Sequence, residues 1–585
     1  QATVAWFCLP RFDSPAICAD ILDPRHGGGV YIDLEEPVIR RSRRYIDATP
    51  IHRTELTTRS GTLRITDFMP AHDDTLSPGA PPAASMLCRL FECTDGVVNA
   101  RLRCELRPGF ATAQPHAKVD DTGWTIASGP HAAHVSASID LRRVAGDLKG
   151  EFALKEGQTR WLTISHCDSP SLRDPHDLFK PTADWWRRWS EQLRYTGAYT
   201  TQVLRAAITL KLMCHAPTGA VIAAPTTSLP ELMGASLNWD YRYCWIRDAS
   251  MCVRALLRSG FSDEARAFLD WLVTAPSTFT PKLRVLYDVD GRHDIPEIKL
   301  DHLSGYADSR PVRSGNAANN QLQLDAYGAL IDAVFALYEV GGRIRKPTAD
   351  MLVKLAHQVC ELWREPDNGI WESRLGLRHH TLSKAMCWVA LDRILTLNEE
   401  AGVEVPVDKF KAVQMQIRQA IDDEGTAKAG HFTVSFAEDA VDPSLLLLGL
   451  YGYEPVGSPR MVKTLRRIDE RLGPPPFLHR HLSSEVVAPG DEGSFIIAGF
   501  WAVELLATSG HIDEAERRFN GLLRASNDLG LFAEEFDISS GNLLGNFPQA
   551  FSHIGLINAA RAIARARGDQ SESSTHDPRA RHASV

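Results

Sequence analysis

Four stretches of this chain mix carboxylates or amides with aromatic rings and carry few lysines. "NWDYRYCWIRDASM" (238–251) alternates Trp239, Tyr241, Tyr243 and Trp245 with Asp240, Arg242 and Cys244, then presents the pair Arg247–Asp248. "PDNGIWESR" sets Trp371 directly before Glu372, after a turn signal at Asp367–Asn368. "GYADSRPVRSGNAANNQLQLD" is rich in Gly, Asn and Gln, and "LFAEEFDISSGNLLGNFPQAFSH" places Glu534 and Glu535 between Phe532 and Phe536. A buried strand would not take the charges, and a surface loop would not take the rings.

That mixture suits a neutral sugar. A pyranose offers CH faces to aromatic rings and hydroxyls to Asp, Asn and the Arg fork. Breaking a glycosidic bond takes two carboxyl groups, one protonated and one ionised. Aromatic neighbours desolvate an acid and keep its proton near neutral pH, which fits Trp371 beside Glu372. Glu534, in an amide-rich loop that reads as wetter, fits the second role. Taken singly, each pairing is ordinary structure: a Trp–Glu core edge, or an Arg–Asp pair at a helix start. Their convergence at helix junctions is what points to a site.

Other chemistries leave no trace. There is no GxSxG, no Walker A sequence and no GxGxxG before a helix. His379–His380 and His479/His481 show neither HExxH nor a Cys/His ligand spacing, so neither a metal nor a cofactor is expected. The net charge is −9 with signs mixed along the chain, which disfavours nucleic acid and anionic membrane as partners. No run of about 18 apolar residues could span a bilayer. The 11 cysteines form no CxxC pair, and Cys88, Cys104, Cys360 and Cys387 in apolar context read as packed thiols of a cytoplasmic protein. Homo-oligomerisation is left open.

The elements that must position these groups change character along the 585 residues, too many for one core. "VNARLRCELR" puts Val98, Ala100, Leu102, Cys104 and Leu106 on one face, against Asn99, Arg101, Arg103, Glu105 and Arg107 on the other. "GTLRITDF", "VSASIDLR" and "TRWLTISH" repeat this period of two between Gly, Pro and Asp clusters, as antiparallel strands do. "PTADWWRRWSEQL" predicts a connecting helix. Beyond it, segments such as "QLQLDAYGALIDAVFALYEVGG" follow three- and four-residue spacing, giving roughly ten to twelve helices. Paired helices can stack as a solenoid or close into a ring, and the lack of a fixed short repeat lowers the solenoid reading. The division expected is a β-sandwich at 1–175, a linker helix at 176–198, a helical domain at 199–568 and a polar disordered tail at 569–585.

"WFCLPRFDSP", "NWDYRYCWIRDA", "GIWESR…HTLSKAMCWVALDR" and "GNLLGNFPQAFSHIGL" together resemble the glucoamylase-type glycoside hydrolases of family 15, in the bacterial branch described as trehalase-like. The resemblance spans nearly the whole chain. It implies an N-terminal antiparallel β-sandwich followed by an (α/α)6 barrel, and inverting, exo-acting hydrolysis of an α-glucoside that releases β-glucose. The family's general acid follows Trp in a "WE" motif and maps onto Glu372, with Trp371 before it. Its general base in an "EQ" or "EE" pair maps onto Glu534, with Glu535 the alternative. Its glucose-holding Arg–Asp pair maps onto Arg247 and Asp248, with Trp245 beside them, and Trp239, Trp371 and Glu535 are the further substrate contacts expected. Ser373 stands where many members carry a second acidic residue. A small sugar is the implied partner, and trehalose is favoured over isomaltose, isomalto-oligosaccharides and maltodextrins. The competing functions are a phosphorylase on the same scaffold and a non-catalytic sugar-binding protein.

Overall fold

The computed structural model describes residues 2–71, 85–166, 174–275, 282–374, 376–481 and 492–569. The polar tail expected at the C-terminal end lies outside these residues, apart from Asp569. Spatial grouping separates two units, Gln1–Gln192 with Lys299–Val312, and Leu193–Ile298 with the chain from Arg313 onward.

In the first unit the antiparallel pattern is organised around one long strand, Met86–Glu105. Its first half pairs with Gly61–Phe68 and Thr159–Ser165. Its second half pairs with Gly29–Leu34 and Asp147–Lys155. The two halves serve two layers that share one core, in which Phe91 meets Phe152 at 5.4 Å between ring centroids. The period-two residues Val98, Ala100, Leu102 and Cys104 point into that core, while Asn99 and Arg101 stay exposed. The connecting helix α1 (Pro175–Ser190) begins with an Asp174 cap and Pro175 at its first position, a favoured helix start. It packs Ala183 among Ile51, Phe68, Met86 and Cys88, so it is a covering layer of this unit as well as a connector. Lys299–Val312 joins the same unit because His302 bonds to the Phe110 carbonyl and the Ser304 amide donates to Asp23.

The second unit holds twelve helices among the described residues: α2 (Thr200–Leu212), α3 (Ile246–Arg258), α4 (Asp263–Thr274), α5 (Asp325–Glu339), α6 (Lys346–Leu362), α7 (Thr381–Ala401), α8 (Val407–Glu424), α9 (Leu447–Leu450), α10 (Pro459–Leu472), α11 (Ile496–Thr508), α12 (Ile512–Leu522) and α13 (Ala550–Arg567). Helices α3, α5, α7, α9, α11 and α13 touch in that order, and α13 returns to α3, which closes an inner ring. The inner helices are buried nearly all round, as α3 and α11 show. The outer ones bury a single stripe, such as Phe410, Ile417 and Ile421 of α8. That contrast is what a two-layered ring demands of sequence. Gly328 lets α5 lie against α7, since a Cβ there would sit 2.3 Å from the Met386 carbonyl oxygen. Asp332 of α5 pairs with Arg254 of α3 and Arg393 of α7, each at 2.9 Å, and ties three inner helices together. This is an (α/α)6 barrel. None of the described helices is long and apolar enough to cross a membrane.

Inner and outer helices alternate along the chain, so the inner ones all run the same way. The loops entering them therefore gather at one end of the barrel. The segments singled out above are those loops: 238–245 enters α3, 313–324 enters α5, 367–380 enters α7 and 531–549 enters α13.

Candidate active site

The segment 239–243 is extended. The carbonyls of Trp239, Tyr241 and Tyr243 accept from the amides of Ser228, Ala224 and Ala223. Alternation then separates its side chains. Asp240 and Arg242 turn to one side as a fully buried ion pair, 2.6 Å apart, and Asp240 also accepts from the Gly315 amide. Tyr241 turns the other way and donates to Glu534 Oε1 at 3.0 Å. Trp245, one residue before α3, donates its Nε1 to Glu372 Oε1 at 2.6 Å. The Tyr241 and Trp245 rings meet edge to face at 5.5 Å. One short segment therefore reaches both candidate catalytic carboxylates.

Glu372 keeps 22 % of its side chain exposed. Its backbone adopts φ +59, a left-handed conformation that costs energy in a residue with a Cβ and persists only when neighbours enforce it. Here the Glu372 amide donates to the Gly369 carbonyl, and its own carbonyl accepts from Gln321 Nε2 at 3.0 Å. Arg247 is buried and directs its guanidinium at Asp248 (2.9 Å), Gln323 (2.7 Å) and Glu372 (3.5 Å). It stands 5.6 Å from the Phe551 ring centroid. Burial pushes the Asp248 carboxyl up to about 7 against the pull of Arg247, and the charge of Glu372 adds to the rise.

Glu534 is buried, contrary to the wetter setting its amide-rich loop suggested. The amides face inward, with Gln549 3.5 Å from Glu534 Oε1, and Leu531, Phe532, Leu544 and Phe551 of the same stretch are buried as well. Burial first, and then the charge of Glu231, hold the Glu534 carboxyl well above the ordinary carboxylate range. Its Oε2 has no hydrogen-bond partner among the described residues.

Beside it lies a carboxylate cluster. Oxygens of Glu231, Glu492 and Glu535 come within 4.8 Å of one another, a spacing that could hold a cation. Arg480 supplies that charge itself. Its Nη2 lies 2.8 Å from Glu231 Oε2, bonds to Glu492 and stands 3.9 Å from Glu535. Glu535 is 0 % exposed. Burial moves Glu231 up to about 7 despite Arg480. If Glu534 works ionised, the acidic limb of kcat/KM against pH follows its deprotonation. Glu231→Gln removes a charge that raises the Glu534 pKa, so that limb is expected to move to lower pH. An unmoved limb in a folded variant would separate Glu231 from Glu534.

Two expected ring contacts take other partners. Trp371 donates to Asp442 at 2.8 Å and packs against Phe495 and Trp501, so the indole bonded to Glu372 belongs to Trp245. Trp245 is itself buried, with its indole N–H on Glu372. Trp239 lies against two guanidinium groups, with Arg313 at 4.4 Å and Arg374 at 4.1 Å, both paired with Glu297. The structure also brings in Tyr241, Gln323, Glu231 and Arg480, which no local sequence signal marked as site residues.

A family model described as glycosyl hydrolases family 15 matches residues 197–561, and one described as trehalase-like, N-terminal, matches residues 1–140. A trehalase of Thermoplasma acidophilum is 33 % identical over 574 residues, covering 96 % of this chain and 97 % of the relative. A trehalase of Mycobacterium tuberculosis is 32 % identical over 605 residues, covering 98 % of this chain and 88 % of the relative. Among solved structures, a bacterial glucoamylase complexed with acarbose is similar with a TM-score of 0.73 over 99 % of this chain and 93 % of that chain, at 12 % identity. That last likeness concerns the fold.

Proposed function

The chain belongs to glycosyl hydrolases family 15, and from that premise we propose that it hydrolyses trehalose with inversion, Glu372 acting as general acid and Glu534 as general base. The observation that carries the chemistry is the Tyr241–Trp245 bridge, which holds one carboxylate at each end. The relatives described above, named trehalase and aligned along nearly all of this chain, support the substrate.

The terminal glucosyl unit binds with its outer hydroxyls at Asp248, whose geometry Arg247 fixes. Three donors converge on Glu372 Oε1: Trp245, Gln323 and Arg247. The catalytic proton therefore sits on Oε2. It passes to the glycosidic oxygen as the C1–O bond breaks, and the bonding electrons leave with that oxygen. Water adds to C1 from the opposite ring face and gives its proton to Glu534. Inversion needs room for that water, with carboxyl groups about 6.5–9.5 Å apart.

The test is hydrolysis of trehalose, isomaltose and maltose side by side, with the first-formed anomers followed by NMR. Trehalose is expected to turn over fastest and to give β- and α-glucose in equal amounts. The attacked unit inverts, while the leaving unit keeps its α configuration. α-Glucose alone would mean retention. Faster turnover of isomaltose or maltose would reassign the substrate.

A further inference from the structure

The strip Gln321–Leu322–Gln323–Leu324 belongs to the Asn- and Gln-rich stretch, and it lies along the loop that carries Glu372. The Asn368 amide donates to the Leu322 carbonyl at 2.9 Å, and the Leu322 amide donates to Asn368 Oδ1 at 3.1 Å. The Leu324 amide donates to Asp367 Oδ2 at 3.0 Å, and Gln321 holds the Glu372 carbonyl. These contacts fix the backbone. One side chain of the strip acts on the acid itself.

We propose that Gln323 is a positioning residue that reserves Oε1 of Glu372 as an acceptor and so confines the transferable proton to Oε2; this rests on Glu372 being the general acid. Gln323 is only 3 % exposed. The orientation of its amide follows from chemistry. The group 2.7 Å away is Arg247 Nη1, which can only donate, so the Gln323 atom facing it is Oε1. Nε2 then faces Glu372 Oε1 at 3.1 Å, with its second proton directed at Gln321 Oε1 at 3.0 Å. Trp245 Nε1 also only donates. A hydroxyl on Oε1 would point its proton at groups that cannot accept it. Gln323 thus links the glucose clamp to the acid, and fixing the clamp fixes which oxygen delivers the proton.

This role affects only leaving groups that need a proton. The enzyme is assayed on the fastest natural glucoside of the panel above and on α-glucosyl fluoride, whose fluoride leaves as an anion without one. Gln323→Met keeps the volume and removes both polar ends. It is expected to lower kcat on the glucoside by about 30- to 100-fold, part of the range typical of general acid catalysis. On the fluoride kcat is expected to stay within about threefold of wild type, with KM nearly constant on both substrates. Gln323→Glu keeps an acceptor for Arg247 and is read the same way should the Met variant fail to fold. Equal losses on both substrates overturn the proposal, because a merely structural or clamping role does not distinguish leaving groups. Glu372→Gln is run in parallel. If it spares the fluoride, the acid assignment stands whatever Gln323 does. If it loses the fluoride equally, the acid assignment falls, and this inference falls with it.

Discussion

Glu534→Gln lowers kcat by about a thousandfold, equivalent to about 4 kcal/mol of transition-state stabilisation, and leaves KM within a factor of a few. The glutamine is isosteric with the buried glutamate it replaces. Its carbonyl can still accept from Tyr241, as Glu534 Oε1 does at 3.0 Å. It cannot take up a proton. The loss therefore isolates base chemistry from packing. A second variant sharpens the test: Glu534→Ala with added azide, a nucleophile with no proton to lose. Azide attacks C1 while Glu372 still protonates the leaving oxygen, and β-glucosyl azide accumulates. A deleted nucleophile would give the same β-azide, so base and nucleophile are separated by the anomers released from trehalose; α-glucosyl azide would mean that a residue other than Glu534 forms a glycosyl intermediate. Near-wild-type hydrolysis by Glu534→Gln would remove Glu534 as base and turn attention to Glu535.

The fold was legible because its signals are local. Alternation at Val98–Leu106 and at Gly61–Phe68 marks strands with one face in a core. Three- and four-residue spacing marks the helices. The two candidate carboxylates stood out for a related reason, since each Glu sits next to rings or amides in its own short segment. The partners were not. Tyr241 reaches Glu534 across 293 residues, Arg480 reaches Glu231 across 249, and Gln323 reaches Glu372 across 49. No local rule separates Tyr241 from Tyr243, or Gln323 from Gln321, because alternation puts residues two apart on one face; which of them meets a carboxylate is decided by loops distant in sequence. Glu231 lies in "TTSLPELMGASLN", with no ring beside it in sequence. The expected wet setting of Glu534 failed for the same reason. Amides in sequence look solvated, but here Asn546 and Gln549 satisfy Trp239, Thr226 and Glu534 inside the protein.

Glu372→Gln lowers kcat on trehalose by about 10³- to 10⁴-fold, and the cause is readable from the three donors on Oε1. Trp245, Gln323 and Arg247 accept only an oxygen at that position, so they orient the new amide with Oε1 toward themselves and its NH2 toward the leaving group. The variant still donates a hydrogen bond to the glycosidic oxygen, and it has no proton to transfer. Substrate binding is therefore kept while leaving-group departure fails. On α-glucosyl fluoride the same variant is expected to stay within about tenfold of wild type, because fluoride departs without protonation. With the wild-type enzyme, the fluoride also separates the two carboxylates by pH. Its kcat/KM keeps the acidic limb that reports Glu534 and loses any alkaline limb that reports protonation of the leaving group. A fluoride profile with both limbs intact would assign the alkaline limb to another group, with Asp248, pushed by burial up to about 7, the first to examine.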